Sequence, residues 1–498
     1  MTQKHGIIMD TIFYSGASCI AIIIGFLVSI SSKRFLGVSG AGYWALLTVV
    51  QTYALYVGLG IKKGLVREIP QLMGAGEIKK AKELEDATFS YLIIASLAGA
   101  AVIWFISFFL VADPLLKKGM KIIAVLILAT HLYNLMLVIL RARKHISILS
   151  KVVVLNTLFI ALFALPGAYF FGVNGFATGT LVATCISFYS AKRLANTRFS
   201  FYLDWGKTWH LIKIGLAMLL AGILFRTFLN IDKIMIGNML GIERLGLYTI
   251  GIMAVQQVSS LPRFFNIVIF PHIQEKYGAT KDVTEIKSMI IKPTYLISRL
   301  GPVLLGLIIF LVQPIVLYVL PQFQEGLGIM KILVFGYFFM AVNEMSSTLL
   351  FTIDKQRMLI PLYGVMVAAC IGLNYLLITL GFGITGVALG TSISYFLFFL
   401  VVFTYAACHI MRWISIVKFY CEIMVFFLYF LINILWIDAV VNMSSLALTS
   451  FLKIVCFFLI SIPVLISVQR RERIFSLVFE AAKSKILSFR LGEEIVAK

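Results

Sequence analysis

The sequence has 498 residues, of which 61% are hydrophobic and only 13% charged, whereas soluble globular domains are about half apolar and a quarter charged. This composition excludes a soluble enzyme, a disordered chain and a small disulfide-stabilised scaffold. The 43 Lys and Arg residues outnumber the 22 Asp and Glu residues, which gives a formal net charge of +21. In so apolar a chain, this excess indicates contact with anionic lipid headgroups rather than with nucleic acid.

Apolar segments long enough to cross a bilayer follow one another along the whole chain. They predict an all-α polytopic membrane protein with about fourteen transmembrane helices. The predicted spans are Ile8–Ile30, Gly42–Ile61, Ala87–Ala112, Ile122–Leu140, Val152–Phe171, Gly175–Ala191, Ile214–Leu240, Leu245–Phe270, Pro293–Leu320, Ile329–Ile353, Leu359–Leu380, Ile384–Cys408, Phe419–Trp436 and Leu446–Val468.

Basic residues are concentrated in alternate connecting loops. Among the basic loops is the segment after the second span, which carries Lys62 and Lys63. The positive-inside rule therefore predicts that both termini lie in the cytoplasm. All the loops are short and a phosphate-binding G-x-x-x-x-G-K-[ST] motif is missing from the sequence, so we expect neither a soluble catalytic domain nor ATP hydrolysis.

Two glycine-containing segments recur after about 200 residues. The first recurrence relates Leu36-Gly37-Val38 and Gly42 to Leu240-Gly241-Ile242 and Gly246, and the second relates residues 172–180 to residues 383–391. Each copy immediately precedes the second or the sixth span of a six-span set. Because six is even, we expect two six-helix lobes of the same orientation, related by an axis along the membrane normal.

This repeat predicts the division of the chain. Residues 1–192 form the first lobe, 193–408 the second lobe, 409–468 two extra helices, and 469–498 a basic tail. Apolar residues at helical spacing in the tail predict an amphipathic helix on the inner membrane surface, with a solvated tail as the alternative.

At this point the sequence resembles a known family. Arg34-Phe35-Leu36-Gly37 with Gly42-Tyr43, and the stretch from Asn230 to Gly237 (NIDKIMIG) leading into Leu240-Gly241, are similar to the bacterial polysaccharide-unit flippases. These belong to the multidrug/oligosaccharidyl-lipid/polysaccharide exporter (MOP) superfamily. The resemblance implies a fold like that of the multidrug and toxin extrusion transporters, with two lobes around a cavity that opens to each side in turn.

The same resemblance implies a place and a cargo. It implies a protein of the bacterial cytoplasmic membrane that acts in the biosynthesis of a cell-surface polysaccharide such as O-antigen. The implied partners are a sugar unit on a polyprenyl diphosphate, membrane phospholipids and the polysaccharide polymerase machinery. The glycan itself is not specified.

Charged residues inside the predicted spans are the candidate site residues. A charge at the bilayer centre costs about 2.5–3.5 kcal/mol, so each must face water, another charge or the membrane interface. Most belong to the second lobe, which carries a surplus of positive charge, and we therefore expect a hydrated cavity there. The set is Asp10, Arg226, Asp232, Lys233, Arg263, Arg299, Lys331, Glu344 and Lys453.

Four of the basic residues are candidate ligands of the diphosphate, since a guanidinium matches phosphate oxygens and an ammonium adds a point charge. They are Arg226, Arg263, Arg299 and Lys233. Arg226 and Lys233 are two turns apart, which predicts that they share one helix face. The alternatives are structural ion pairs for Arg226 and Arg263 and an interfacial position for Arg299.

The remaining charges have other predicted roles. Asp232 and Glu344 are candidates for coupling transport to protons or to sodium, or for pairing with a buried Arg. Asp10 lies near the inner end of its span, where capping or local pairing is expected. Lys331 and Lys453 lie near span ends, which predicts that they extend to the headgroups. No cofactor or metal site is predicted from the scattered His and Cys residues.

The sequence thus predicts a flippase without enzymatic activity, which moves a polyprenyl-diphosphate-linked oligosaccharide by alternating access. Three alternatives stay open. A peptidoglycan-precursor flippase is poorly distinguished by sequence, and a drug or cation antiporter needs an acidic or aromatic cavity. An integral-membrane polymerase, ligase or acyltransferase needs a large outer loop or a His/Asp grouping, whereas His131 stands alone in its span.

Overall fold

The computed structural model describes residues 2–259, 269–270, 273–274, 276–441, 443 and 445–472, with side chains from residue 16 to residue 468 except 217, 218 and 446. Every regular element within these ranges is a helix. Among the described residues, ten helices are long and apolar enough to cross a membrane, or eleven if a bent pair forms one span. The predicted all-α membrane class is confirmed, and the number fourteen stays approximate.

The helices follow the predicted spans in order. In the first half they are α1 Thr2–Ala54, α2 Ile61–Gly74, α3 Ile78–Phe109, α4 Pro114–Ala142, α5 Ile146–Phe159 and α6 Leu165–Leu194. In the second half they are α7 Trp205–Phe228, α8 Ile231–Met239, α9 Ile242–Val258, α10 Val283–Val319, α11 Gly326–Val342, α12 Glu344–Thr352, α13 Leu359–Thr379 and α14 Gly383–Ala407. Two further helices follow, α15 Trp413–Val440 and α16 Leu446–Glu472.

Two of the predicted loops are single-glycine breaks inside long helices. Helix α1 contains the first predicted span and the second one as far as Ala54, and it turns at Gly37 (φ 68°, ψ −176°); α6 turns at Gly172 (φ 60°, ψ −141°). The equivalent residues of the second half, Gly241 and Gly383, also have positive φ values of 94° and 54°. Because side chains rarely tolerate this backbone region, these turns explain why the glycines recur in the sequence.

The seventh predicted span is interrupted. Helix α7 ends at Phe228 and α8 begins at Ile231, so Arg226 and Lys233 lie on either side of a break. They therefore do not share the face of one continuous helix, contrary to the prediction from their spacing. The eighth predicted span corresponds to α9, and residues 260–268 of it lie outside the described residues, as does most of the basic tail.

The two halves of the chain contact each other along one antiparallel helix pair. The second part of α1 and then α2 run along α8 and α7. The Tyr53 hydroxyl donates to Oγ1 of Thr227 at 3.1 Å, and the Tyr56 hydroxyl donates to the carbonyl of Gly222 at 2.9 Å. As the residue numbers rise on one side they fall on the other, which is the signature of antiparallel packing.

At one end of this pair, the two copies of the repeat contact each other reciprocally. A Cβ atom on Gly42 would lie 2.1 Å from the carbonyl oxygen of Ile242, and one on Gly246 would lie 2.0 Å from the carbonyl oxygen of Val38. Gly42 is equivalent to Gly246 and Val38 to Ile242 in the repeat. The contact therefore has approximate twofold symmetry, as expected for halves of the same orientation.

At the other end, α2 packs on α7, again through glycines. A Cβ atom on Gly215 would lie 2.3 Å from the carbonyl oxygen of Gly60, and one on Gly64 would lie 2.4 Å from that of Leu211. Such short distances mean that backbone lies directly on backbone. The halves are thus in contact at both ends of the helix pair.

Helix α15 is joined both to the second half and to α16 by ion pairs. Asp438 of α15 pairs with Lys331 of α11 and, at 2.8 Å, with Lys453 of α16. The prediction that both lysines extend to the headgroups is therefore corrected. Their partner lies just beyond the predicted end of its span, where the sequence pattern did not reveal it.

The segment that connects α6 to α7 packs on the first half of the chain. The Phe199 ring stacks on Phe89 of α3, with centroids 4.6 Å apart and planes at 7°. The backbone N–H of Tyr202 donates to Oγ of Ser90 at 2.8 Å. This segment therefore packs on the first half, although the predicted boundary places it in the second lobe.

Candidate functional site

A group of basic side chains lies where α2 meets α7 and α8. Arg226 is exposed in the last turn of α7. Lys63 of α2 reaches this place, because its Nζ lies 3.3 Å from the position of a Cβ atom on Gly222. Both Lys63 and Lys233 of α8 lie close enough to Arg226 to be repelled by its charge. We call Lys63, Arg226 and Lys233 the inter-lobe cluster.

The break between α7 and α8 positions this cluster. Lys233 donates from Nζ to Oδ1 of Asn230 at 2.7 Å, and Asn230 donates from Nδ2 to the carbonyl of Arg226 at 2.7 Å. Among the described residues, no carboxylate lies within the 4.0 Å of an ion pair from Arg226 or Lys233. Cations from both halves of the chain thus lie close together here, an arrangement that attracts an anion.

Asp232 faces the interior of the second half instead of the cluster. It is buried and accepts a hydrogen bond from the Tyr248 hydroxyl at 2.7 Å and one from the N–H of Lys233 at 2.8 Å. The Tyr248 hydroxyl also reaches Thr391, which accepts a hydrogen bond from Nδ2 of Asn374 at 3.4 Å. Oδ1 of Asn374 is buried and finds no hydrogen-bond partner in the described ranges. A chain of polar groups therefore runs from Asp232 to an unsatisfied oxygen.

Arg299 occupies a packed interface with α15. Its guanidinium lies 3.5 Å from Glu422 and stacks over the rings of Tyr295 and Phe426 at 5.3 and 5.1 Å. The side chain is 9% exposed. This placement differs from the predicted cavity-lining position, because the partner carboxylate lies on a helix outside the repeat.

The other predicted site residues are placed as follows. Glu344 begins α12 next to Tyr363, whose ring contacts Phe225 of α7 with centroids 5.2 Å apart. The rings of Tyr363 and Phe225 thus lie between Glu344 and the backbone of the helix that carries Arg226. Asp10 lies within α1, but its side chain is outside the described part of the structure, and Arg263 lies outside the described residues altogether.

The first half contains a buried ion pair that the sequence pattern missed. Glu85 of α3 is fully buried, and Arg143 holds it with two parallel hydrogen bonds, Nε to Oε1 at 2.8 Å and Nη2 to Oε2 at 2.7 Å. Both residues lie just outside predicted spans, where charges are ordinary. The sequence showed only that Glu85 lies just before the third predicted span and that Arg143 lies just after the fourth.

Solved structures identify the fold of the chain. The lipid II flippase MurJ in an inward closed conformation matches with a TM-score of 0.66 at 14% identity, over 92% of this chain and 99% of that one. An inward-facing multidrug resistance MATE family transporter matches with 0.60 at 15%, over 80% and 97%. A MOP superfamily transporter from Pyrococcus furiosus matches with 0.59 at 14%, over 80% and 95%. The chain has the fold of these MOP superfamily transporters.

The family follows from the sequence itself. A family model described as polysaccharide biosynthesis protein matches residues 33–320. This is more than half of the chain, which therefore belongs to the polysaccharide biosynthesis protein family. No curated protein matches significantly. The family and the fold together confirm the resemblance from which the function was predicted.

Proposed function

We propose that the protein is a flippase that moves a polyprenyl-diphosphate-linked oligosaccharide across the bacterial cytoplasmic membrane by alternating access. Membership of a polysaccharide biosynthesis family and a fold shared with a lipid II flippase support this proposal. The observation that carries it is the inter-lobe cluster. A diphosphate carries about two negative charges and cannot enter hydrocarbon unless fixed cations replace its water.

The geometry suggests how binding drives the transport cycle. Arg226 offers paired N–H donors to phosphate oxygens, and Lys63 and Lys233 add point charges. Without substrate, Lys63 of the first half and Arg226 of the second repel each other, which favours separation of the halves. A bound diphosphate neutralises this repulsion and allows α2 to close on α7 while the prenyl chain stays in lipid. The central cavity that this cycle requires is itself still a prediction.

Replacing Arg226 with Ala tests the proposal. The variant loses charge-assisted hydrogen bonds worth about 1.5–3 kcal/mol each, so transport should fall about tenfold to a hundredfold. Arg226→Lys should give an intermediate rate, because it keeps the charge and loses the paired donors. The rate is measured as translocation of a fluorescent polyprenyl-diphosphate oligosaccharide in proteoliposomes.

The matched control is Arg244→Ala, since Arg244 is half exposed and pairs only with the exposed Glu325 in the described part. Its transport rate should equal that of the unmodified protein. Equal rates for the Arg226 and Arg244 variants would remove the inter-lobe cluster as the binding site.

For coupling, we propose Asp232 as the ion-binding carboxylate. The oxygen atoms of Asp232, Thr391 and Asn374 are hard ligands that suit a small cation or a proton relay. Asp232→Asn should abolish the dependence of transport on a sodium or proton gradient, whereas Glu325→Gln at an exposed position should leave it unchanged. Gradient-driven transport by the Asp232→Asn variant would exclude this role.

A peptidoglycan-precursor flippase is the second candidate. It is favoured by the match to the lipid II flippase, which covers 92% of this chain where the multidrug transporter covers 80%. The inter-lobe cluster fits either lipid-linked diphosphate. Growth of cells depleted of their own lipid II flippase separates the two, because only a peptidoglycan-precursor flippase restores it.

A further inference from the structure

The adjacent residues Lys62 and Lys63 of α2 contact different parts of the protein. Lys63 joins the inter-lobe cluster, whereas Lys62 turns into the first half and places its Nζ 3.1 Å from Nδ1 of His131 on α4. His131 is 0% exposed, and its Nε2 is buried with no hydrogen-bond partner in the described part of the chain. The transport site proposed above uses neither Lys62 nor His131.

Lys62 is the charged group that faces His131. None of the described ion pairs within 4.0 Å includes either residue. The titratable groups on the packed elements are engaged elsewhere or exposed: Tyr91 of α3 with the carbonyl of Val57, Glu85 with Arg143, Asp86 with Lys82, Tyr53 and Tyr56 with α7, and the exposed Tyr189 of α6 with Arg193.

The 3.1 Å contact between Lys62 and His131 is compatible with only one positive charge on the two side chains together. A Lys62 ammonium donates to Nδ1 only when His131 is neutral and carries its ring proton on Nε2. Two positive charges at this distance in a poorly hydrated site repel strongly, so the residues titrate as a pair. His131 is kept neutral first by its burial and then by the Lys62 charge. An opening that admits water to the ring and moves Lys62 away allows His131 to bind a proton, and the reverse movement expels that proton from Nδ1.

The backbone provides a joint for such a movement. Leu59 and Gly60, immediately before α2, both have positive φ values of 44° and 74°. Gly60 of this joint packs on Gly215 of α7, and Gly64 of α2 packs on Leu211. When these contacts open, α2 is free to turn about the joint and to carry Lys62 relative to His131.

We infer that Lys62 and His131 form a proton-coupling pair in the first half of the protein. Closure of α2 on α7 expels one proton, and opening takes one up. This inference rests on the proposed transport cycle and extends it by naming the proton as a coupling ion and giving it a site separate from Asp232. Acid should therefore favour separation of α2 from α7, and alkali should favour closure.

The experiment measures this movement without any substrate. Spin labels on the exposed positions Met73 of α2 and Trp209 of α7 report the distance between the helices in the full chain, with its six native cysteines replaced, in lipid nanodiscs. A second histidine, His210, lies 3.6 Å from Glu68 across the same contact. All measurements are therefore made with His210→Gln as the background.

In this background, the ratio of separated to closed molecules should rise with acid by up to about tenfold per pH unit below about pH 6.5, the ordinary pKa of histidine, and should level off above it. His131→Gln keeps an acceptor for Lys62 but cannot titrate, so its ratio should be independent of pH. Lys62→Met should also lose the pH response. It replaces His131→Gln in the test if that variant does not fold. His145→Gln, at an exposed position, should keep the full response.

A pH response that survives in both the His131→Gln and Lys62→Met variants overturns the inference, as does a background protein without any response. Because no lipid-linked sugar is present, this outcome is independent of the flippase proposal. An intact, His131-dependent response together with failed translocation of the fluorescent lipid would refute the proposed cargo and leave the proton pair standing.

Discussion

Replacing Gly246 with Ala should force the halves apart where the two repeats meet. The new Cβ atom would lie 2.0 Å from the carbonyl oxygen and 2.7 Å from the carbonyl carbon of Val38, and backbone atoms have no rotamer by which to move away. Overpacking of this kind costs about 1–3 kcal/mol. Such a cost shifts a conformational equilibrium by roughly 5- to 150-fold. Gly42→Ala should act in the same way on the carbonyl of Ile242.

The population of the closed contact is measured by cross-linking cysteines placed at Ser39 and Glu243, whose side chains lie 3.3 Å apart beside these glycines. We expect a loss of cross-linking in Gly246→Ala and in Gly42→Ala. Gly364→Ala is the matched control, because a Cβ atom there has no neighbour within 4 Å in the structure. Cross-linking equal to that of the control in both variants would show that the repeats do not close here.

Replacing Arg143 with Ala should strongly destabilise the first half. Glu85 is fully buried and would lose both of its hydrogen bonds from the guanidinium. Removing one partner of a buried pair leaves an uncompensated charge and costs about 3–5 kcal/mol. The double variant Glu85→Gln/Arg143→Ala should recover much of this stability, because it carries no isolated charge.

Stability is measured as the melting temperature of the purified protein in detergent. Arg141→Ala removes an exposed guanidinium two residues away and should leave that temperature unchanged. If the Arg143→Ala and Arg141→Ala variants have the same melting temperature, Glu85 is stabilised by something other than the ion pair.

The overall architecture was readable from local patterns. Apolar segments gave the helices, and the recurrence of Gly37 and Gly241 located equivalent positions of the two halves. What the pattern did not show was why glycine recurs there. The structure supplies the reason, since both residues have a backbone conformation that side chains rarely adopt.

The candidate site was only partly predictable, because its contacts join residues far apart in the chain. Lys63 was assigned to an inner loop by the positive-inside rule, and nothing in the sequence linked it to Arg226. Arg299 was predicted to line the cavity or to lie at the membrane interface, because nothing in the sequence linked it to Glu422, which lies on a helix outside the repeat. A charge pattern identifies which residues need a partner, whereas packing alone decides which partner they find.

The reciprocal contact of Gly42 and Gly246 is made by uncharged main chain. The carboxylate beside it belongs to Glu243, whose Oε1 accepts a hydrogen bond from Ser39 at 3.3 Å. The helical segment from Val38 to Ala54 joins this contact to the Tyr53–Thr227 hydrogen bond near the inter-lobe cluster. Because this segment is one continuous helix, we expect a displacement at either of its ends to reach the other.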